Sequence, residues 1–225
     1  MSHFVVAVLS KRPDDVERLL EPYCQEVDAT STYAEFQEDE KFDYDESMKA
    51  HGYWFNPNAR WDWYQIGGRA SGMVKLLPNR SGNCFGSRSW RKVPLVYGRC
   101  DQALVKDVDF STDQSAYDKA ARFWEVYVEG KPLKDGEDPK DFQAVFRKEY
   151  FLAQYKDKQE YAESCSSFGT WAMVTPDGEW HESGLMGWCC FNDATAESRK
   201  TFSDFLKKQL EENPDLWITI VDCHI

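Results

Sequence analysis

The 225-residue sequence has no run of about 18 apolar residues, so no transmembrane helix is expected. Its start, "MSHFVVAVLSKRPDD", lacks a basic leader and turns charged after about ten residues, which reads as a strand followed by a helix rather than a signal peptide. The seven cysteines (24, 84, 100, 165, 189, 190 and 223) include no C-x-x-C spacing, and their number is odd. That usage suits free thiols in a reducing cytosol, with vicinal Cys189 and Cys190 read as ordinary half-buried thiols. A Walker sequence, a dinucleotide fingerprint and a G-x-S-x-G nucleophile elbow are also missing, and no internal repeat is visible. No cofactor is expected on these grounds.

Aromatic residues are abundant, at 15%, with nine tryptophans, which argues for an ordered core. The net charge of −12 is unevenly spread. Residues 1–50 carry 5 basic and 13 acidic side chains; residues 51–100 carry 8 basic and a single acid, Asp62; residues 101–225 carry 14 basic and 25 acidic. A basic, aromatic middle inside an acidic chain calls for its own explanation.

Hydrophobic periodicity predicts a strand over 3–10, then a helix over 12–23 with Val16, Leu19, Leu20 and Tyr23 on one face. A second strand is expected within 25–36, an acidic loop over 37–46, and a strand over 72–78. Helices are expected over 113–129 and 138–163, the latter with Phe142, Val145, Phe146, Tyr150 and Ala153 on one face. The last third reads as a hairpin around Pro176-Asp177-Gly178, a helix capped by Asp193 or Thr195 and stopped at Asn213-Pro214, and a final strand. The order points to an α+β fold: a ferredoxin-like antiparallel sheet covered by helices. A single domain spans 1–225, with an insertion at about 40–165 and antiparallel first and last strands that bring His3 near His224.

The segment "NPNARWDWYQIGGRASG" (56–72) concentrates the candidate chemistry. In one reading it is a hairpin corner in which Trp61, Trp63 and Ile66 anchor to the core while Arg60, Asp62 and Arg69 face outward. In the other it is a ligand pocket formed by Arg60, Trp61, Asp62, Trp63, Tyr64, Gly67, Gly68 and Arg69. There the rings stack a planar group, arginine forks a phosphate or carboxylate, and glycine amides add donors. Lys75, Arg80, Arg88, Arg91, Lys92 and Arg99 favour an anion, and Trp188 in "GLMGWCC" (184–190) would form a second wall. Aromatic and basic residues together also suit single-stranded nucleic acid, which makes direct nucleic-acid binding a further option. Two other groupings offer chemistry. His3, Asp222, Cys223 and His224 supply zinc-type ligands or a catalytic set if the termini pair, and His181 with Glu182 can serve as acid and base.

Four stretches, "MSHF", "NPNARWDWYQIGGR", "GEWHESGLMGWCC" and "TIVDCHI", resemble a family of proteins encoded by bacteriophages and prophages. Its members begin Met-Ser-His-Phe, carry Trp-Asp-Trp-Tyr-x-x-Gly-Gly-Arg-Trp and end Val-Val-Asp-Cys-His-Ile. Residues 25–50 and 80–165 are outside the resemblance, and Ala70 stands where the family has tryptophan. The resemblance implies a phage accessory protein acting in the host bacterial cytoplasm, with no membrane partner. Three functions are consistent with it: capture of an anionic, nucleotide-like small molecule to inhibit a host defence system; binding of a nucleic-acid-handling host defence protein by acidic residues that mimic phosphates; and an enzyme acting on nucleotides or nucleic acid.

Overall fold

The computed structural model describes residues 2–86, 97–187 and 192–225 and has a mixed α+β architecture. In chain order the elements are β1 (His3–Ser10), α1 (Val16–Leu20), β2 (Glu35–Glu38), β3 (Tyr44–Asp45), β4 (Ala50–Phe55), β5 (Trp63–Ile66), β6 (Val74–Lys75), β7 (Arg99–Cys100) and β8 (Gln102–Leu104). There follow α2 (Gln114–Phe123), α3 (Lys148–Gln154), α4 (Lys158–Ser166), β9 (Ala172–Val174), β10 (Trp180–Glu182), α5 (Ala196–Glu212) and β11 (Trp217–His224).

The central sheet runs β10-β9-β1-β11-β5, with β8 also pairing β11. As the sequence suggests, β1 and β11 are antiparallel, and their register runs from His3↔His224 to Ser10↔Trp217. The β1–β9 pair is parallel, which an all-antiparallel ferredoxin-like sheet would not contain. From within the expected insertion, β5 and β8 join the sheet through β11. Residues 35–55 do form a sheet of their own, β2-β4-β3.

Alternation along the strands assigns the two faces. Ala7, Leu9, Ile218 and Ile220 face α5, which buries Phe202, Leu206 and Leu210 against them. Phe4, Val6, Val8, Val221 and Cys223 face the other way, onto α1 and Trp61. The α5 helix starts where sequence chemistry places it: the Thr195 hydroxyl accepts from Ser198 N, and the Ser198 hydroxyl accepts from Thr195 N, forming a capping box.

Several expectations failed for local reasons. In 25–36 the Asp28 carboxylate takes the Thr30 amide at 2.8 Å and turns the chain, so the strand begins only at Glu35 and pairs β4. The 12–23 helix is cut to five α-helical residues and a 3-10 turn: Glu21 is still in the α region, but Pro22 has no N–H to continue the helical ladder, and Cys24 is extended. The 138–163 segment breaks twice. The first break follows a 3-10 turn capped by Asp138, where Gln143 and Arg147 are extended before α3; the second is at Asp157, which caps α4 by accepting from Glu160 N and so starts a new helix instead of sitting inside one. Val145 and Phe146 are consequently exposed. Over 72–78 only Val74–Lys75 is strand, and it pairs β7 outside the central sheet.

Trp61 is 7% exposed and its Nε1 donates to Leu20 O at 3.2 Å, whereas Trp63 is 50% exposed. Trp61→Ala should therefore cost about 3–5 kcal/mol in urea unfolding, and Trp63→Ala less than about 1 kcal/mol.

Candidate functional site: paired histidines and carboxylates at the sheet end

Strand alternation puts His3, Asp222, His224, Trp63 and Gln65 on the α5 face, at the end where β1 begins and β11 finishes. His3 and His224 are register partners. Their neighbours Ser2 and Ile225 exchange both backbone hydrogen bonds, at 3.0 and 3.1 Å, so the His3–His224 pair lies at a non-hydrogen-bonded position, where side chains come closest. The two rings meet edge to face with centroids 5.0 Å apart, and His3 meets Trp63 the same way at 6.2 Å.

Each imidazole has its own carboxylate. His3 Nδ1 is 3.0 Å from Asp222 Oδ1, and His224 Nδ1 is 2.6 Å from Asp62 Oδ1. A carboxylate only accepts, so Nδ1 is the protonated nitrogen of both rings, and Nε2 carries the lone pair in the neutral state. The histidine side chains are 16% and 14% exposed and Asp222 only 3%. The second oxygen of Asp222 accepts the Arg69 backbone N–H at 2.8 Å, so one carboxylate sets both an imidazole and the loop carrying Arg69.

The Gly-Gly pair explains how that loop gets so close. Gly67 and Gly68 have φ of +73° and +48°, a conformation side chains disfavour. A Cβ on Gly67 would come within 2.7 Å of the Asp101 carboxylate, and one on Gly68 within 2.5 Å of Asp222 Cβ. Asp101 is fully buried and accepts from the amides of Gly72 (2.7 Å), Phe85 (2.7 Å) and Gly86 (3.1 Å). Asp101 O also takes the Ile220 amide, and Gly67 N donates to Ile220 O. The glycines thus seat the turn over two buried aspartates, which gives Gly67 and Gly68 a structural role.

The other expected site residues separate. Trp61 is core, meeting Tyr64 edge to face at 5.0 Å, and Tyr64 packs on the α1 face, away from the histidines. Arg60 Nε lies 3.3 Å from Glu182 Oε1 but off the hydrogen-bond direction, so this is a charge contact rather than a formed hydrogen bond. Burial raises the Glu182 carboxyl, while donation from Trp180 Nε1 and the Arg60 charge oppose that rise. Arg60 is therefore spent on a carboxylate and is not a free anion ligand. Much of the basic middle is likewise neutralised from outside it: Lys75 by Asp109, Arg80 by Asp107 and Arg99 by Asp113. Arg69 is exposed, and no side-chain partner is seen for it among the described residues. Arg88, Arg91, Lys92, Trp188, Cys189 and Cys190 lie outside the described residues. Among the described residues, Gly187 meets the start of β1, since Ser2 Oγ donates to Gly187 O at 3.0 Å.

Cys223 points into the α1 face, away from His3, Asp222 and His224, and burial pushes its thiol well up. No group of three or more metal-type ligands is assembled among the described residues. His181 and Glu182 alternate to opposite faces of β10. His181 packs on Phe205 at 4.2 Å while Glu182 meets Arg60, so they do not form the expected acid–base pair. A groove of about 650 Å³ does lie there, between Trp180 and the start of α5, but apart from His181 and Glu182 it has hydroxyl, aromatic and Glu197 side chains and no cation. Its size is no match for the convergence of oriented side chains at the sheet end.

Gly68→Ala should cost at least about 2 kcal/mol, from the left-handed backbone and the clash together. It should also release the Asp222 contact to His3, visible as a changed His3 imidazole resonance. Arg60→Gln should cost on the order of 1–2 kcal/mol at neutral pH by leaving Glu182 without its cation. The raised Glu182 carboxyl means the folded state holds its proton more tightly than the unfolded state, so this deficit should shrink as pH falls and Glu182 protonates. Urea titrations across pH check both the size and the sign. In comparisons with known proteins the chain matches no family model, no curated protein and no solved structure.

Proposed function

We propose that the protein captures a small anionic, nucleotide-like ligand at the His3–His224 end of the sheet. In the phage setting that the sequence resemblance implies, removing such a molecule would blunt a host antiviral defence system in the cytoplasm. One observation carries the reading: the described residues place two imidazoles with fixed Nδ1 atoms, a half-exposed tryptophan and an arginine without a side-chain partner at one sheet end. Trp63 offers a face for a base, Arg69 a forked cation for phosphate, and the imidazole Nε2 atoms offer hydrogen bonds.

A second reading, an acidic surface that occupies a nucleic-acid-handling defence protein, is favoured by the β2-β4-β3 sheet. Residues 35–55 hold seven carboxylates against two lysines. Phe42 and Tyr53, both exposed, meet at a tilt with ring centroids 4.4 Å apart beside exposed Tyr44. Glu38→Lys with Asp39→Lys should abolish this activity and leave ligand capture intact.

For ligand capture, Arg69→Ala should weaken nucleotide binding tenfold or more, equivalent to about 1.5–3 kcal/mol for a charged contact, and leave the melting temperature nearly unchanged. Thermal-shift screening against mono-, di- and cyclic nucleotides, followed by calorimetry on wild type and Arg69→Ala, provides the measurement. No stabilisation by any of them, or equal affinity in the variant, contradicts the proposal.

A further inference from the structure

We infer that this site also turns over what it binds: His3 and His224 act as general base and general acid in the hydrolysis of a phosphodiester. The inference rests on the ligand reading above and adds a reaction to it.

Three features support a pair of proton-transfer groups over two structural histidines. The rings stand together, 5.0 Å between centroids, at a backbone position that brings side chains closest. Each Nδ1 is held by a different carboxylate, Asp222 for His3 and Asp62 for His224, so each ring can be neutral or cationic without disturbing the other's anchor. With Nδ1 occupied, only Nε2 of each ring is left for a substrate, as a base when neutral and as an acid when protonated. To act on one phosphoryl group, each Nε2 would have to come within about 2.6–3.2 Å of one of its oxygens or of the attacking water. Arg69, whose amide is fixed to the same Asp222, supplies a positive charge for the non-bridging oxygens.

In the step, the neutral imidazole takes a proton from water at Nε2 as the water oxygen bonds to phosphorus. The ester P–O bond breaks, and the imidazolium partner gives its Nε2 proton to the departing alkoxide. A phosphomonoester and an alcohol leave, and proton exchange with solvent resets the two rings. Electrons and atoms balance with water as the only co-reactant.

Two probes test the proposal: thymidylyl-thymidine, which lacks a 2′-hydroxyl and has an alkoxide leaving group, and thymidine 5′-p-nitrophenyl phosphate, whose leaving group needs no proton. Wild type should hydrolyse both. His3→Asn and His224→Asn should each lower the dinucleotide rate by about 10²–10⁴-fold. On the nitrophenyl ester the acid's variant should be nearly unimpaired and the base's variant should keep its loss. A purely structural role would depress both substrates alike in both variants, and that result overturns the proposal. If the nucleotides of the preceding screen bind but wild type cleaves neither diester, hydrolysis is overturned and ligand capture stands. If nothing binds and nothing is cleaved, both fall. Absence of wild-type cleavage overturns the proposal even where a variant does not fold.

Discussion

The antiparallel pairing of β1 with β11 is the constraint on which the rest depends. Eight residues of each strand run in one register, apolar on both faces through the middle, with α5 covering one face and α1 with Trp61 the other. Such a register cannot slip by one residue without moving every core side chain to the wrong face. The same register brings His3 onto His224 and leaves both beyond the apolar stretch, so polar groups gather where the core ends.

Two buried aspartates extend that order into the loops. Asp222 sits within β11 yet reaches the His3 ring and the Arg69 amide, and Asp101 collects three amides from two separate loop segments. A buried carboxylate is tolerated when its oxygens are filled by donors, and removing those donors costs about 1–3 kcal/mol each. The Gly67-Gly68 turn exists because only glycine lets a backbone approach both aspartates so closely. Structure and candidate chemistry share these atoms. The carboxylate that seats the turn also orients an imidazole.

The sequence made the periodic elements legible. The first and last strands, the Pro176-Asp177-Gly178 hairpin and the Thr195-capped α5 carry strong local signals, and those elements are present as read. Less legible were the break at 143–147, the break at Asp157, where aspartate competes with helix, and the strands β5 and β8, whose pairing with β11 is set by contacts far along the chain. In the candidate site, the approach of His3 to His224 followed from strand order. The role of Asp62 as the His224 partner did not, because it spans 162 positions. Asp101 had no motif around it at all. Arg60 looked like a ligand arginine because charge counted along a segment does not show that its cations are paired with acids from elsewhere.

The central claim is that two carboxylates fix both imidazoles with Nδ1 protonated and Nε2 open. Long-range ¹H–¹⁵N correlation of the imidazole rings in ¹⁵N-labelled protein tests it most directly. The account predicts that neutral His3 and His224 both show the Nδ1–H tautomer, and that Asp222→Ala releases His3 while Asp62→Ala releases His224. An Nε2–H tautomer at either ring in the wild-type protein, or tautomers untouched by loss of the carboxylates, would contradict it.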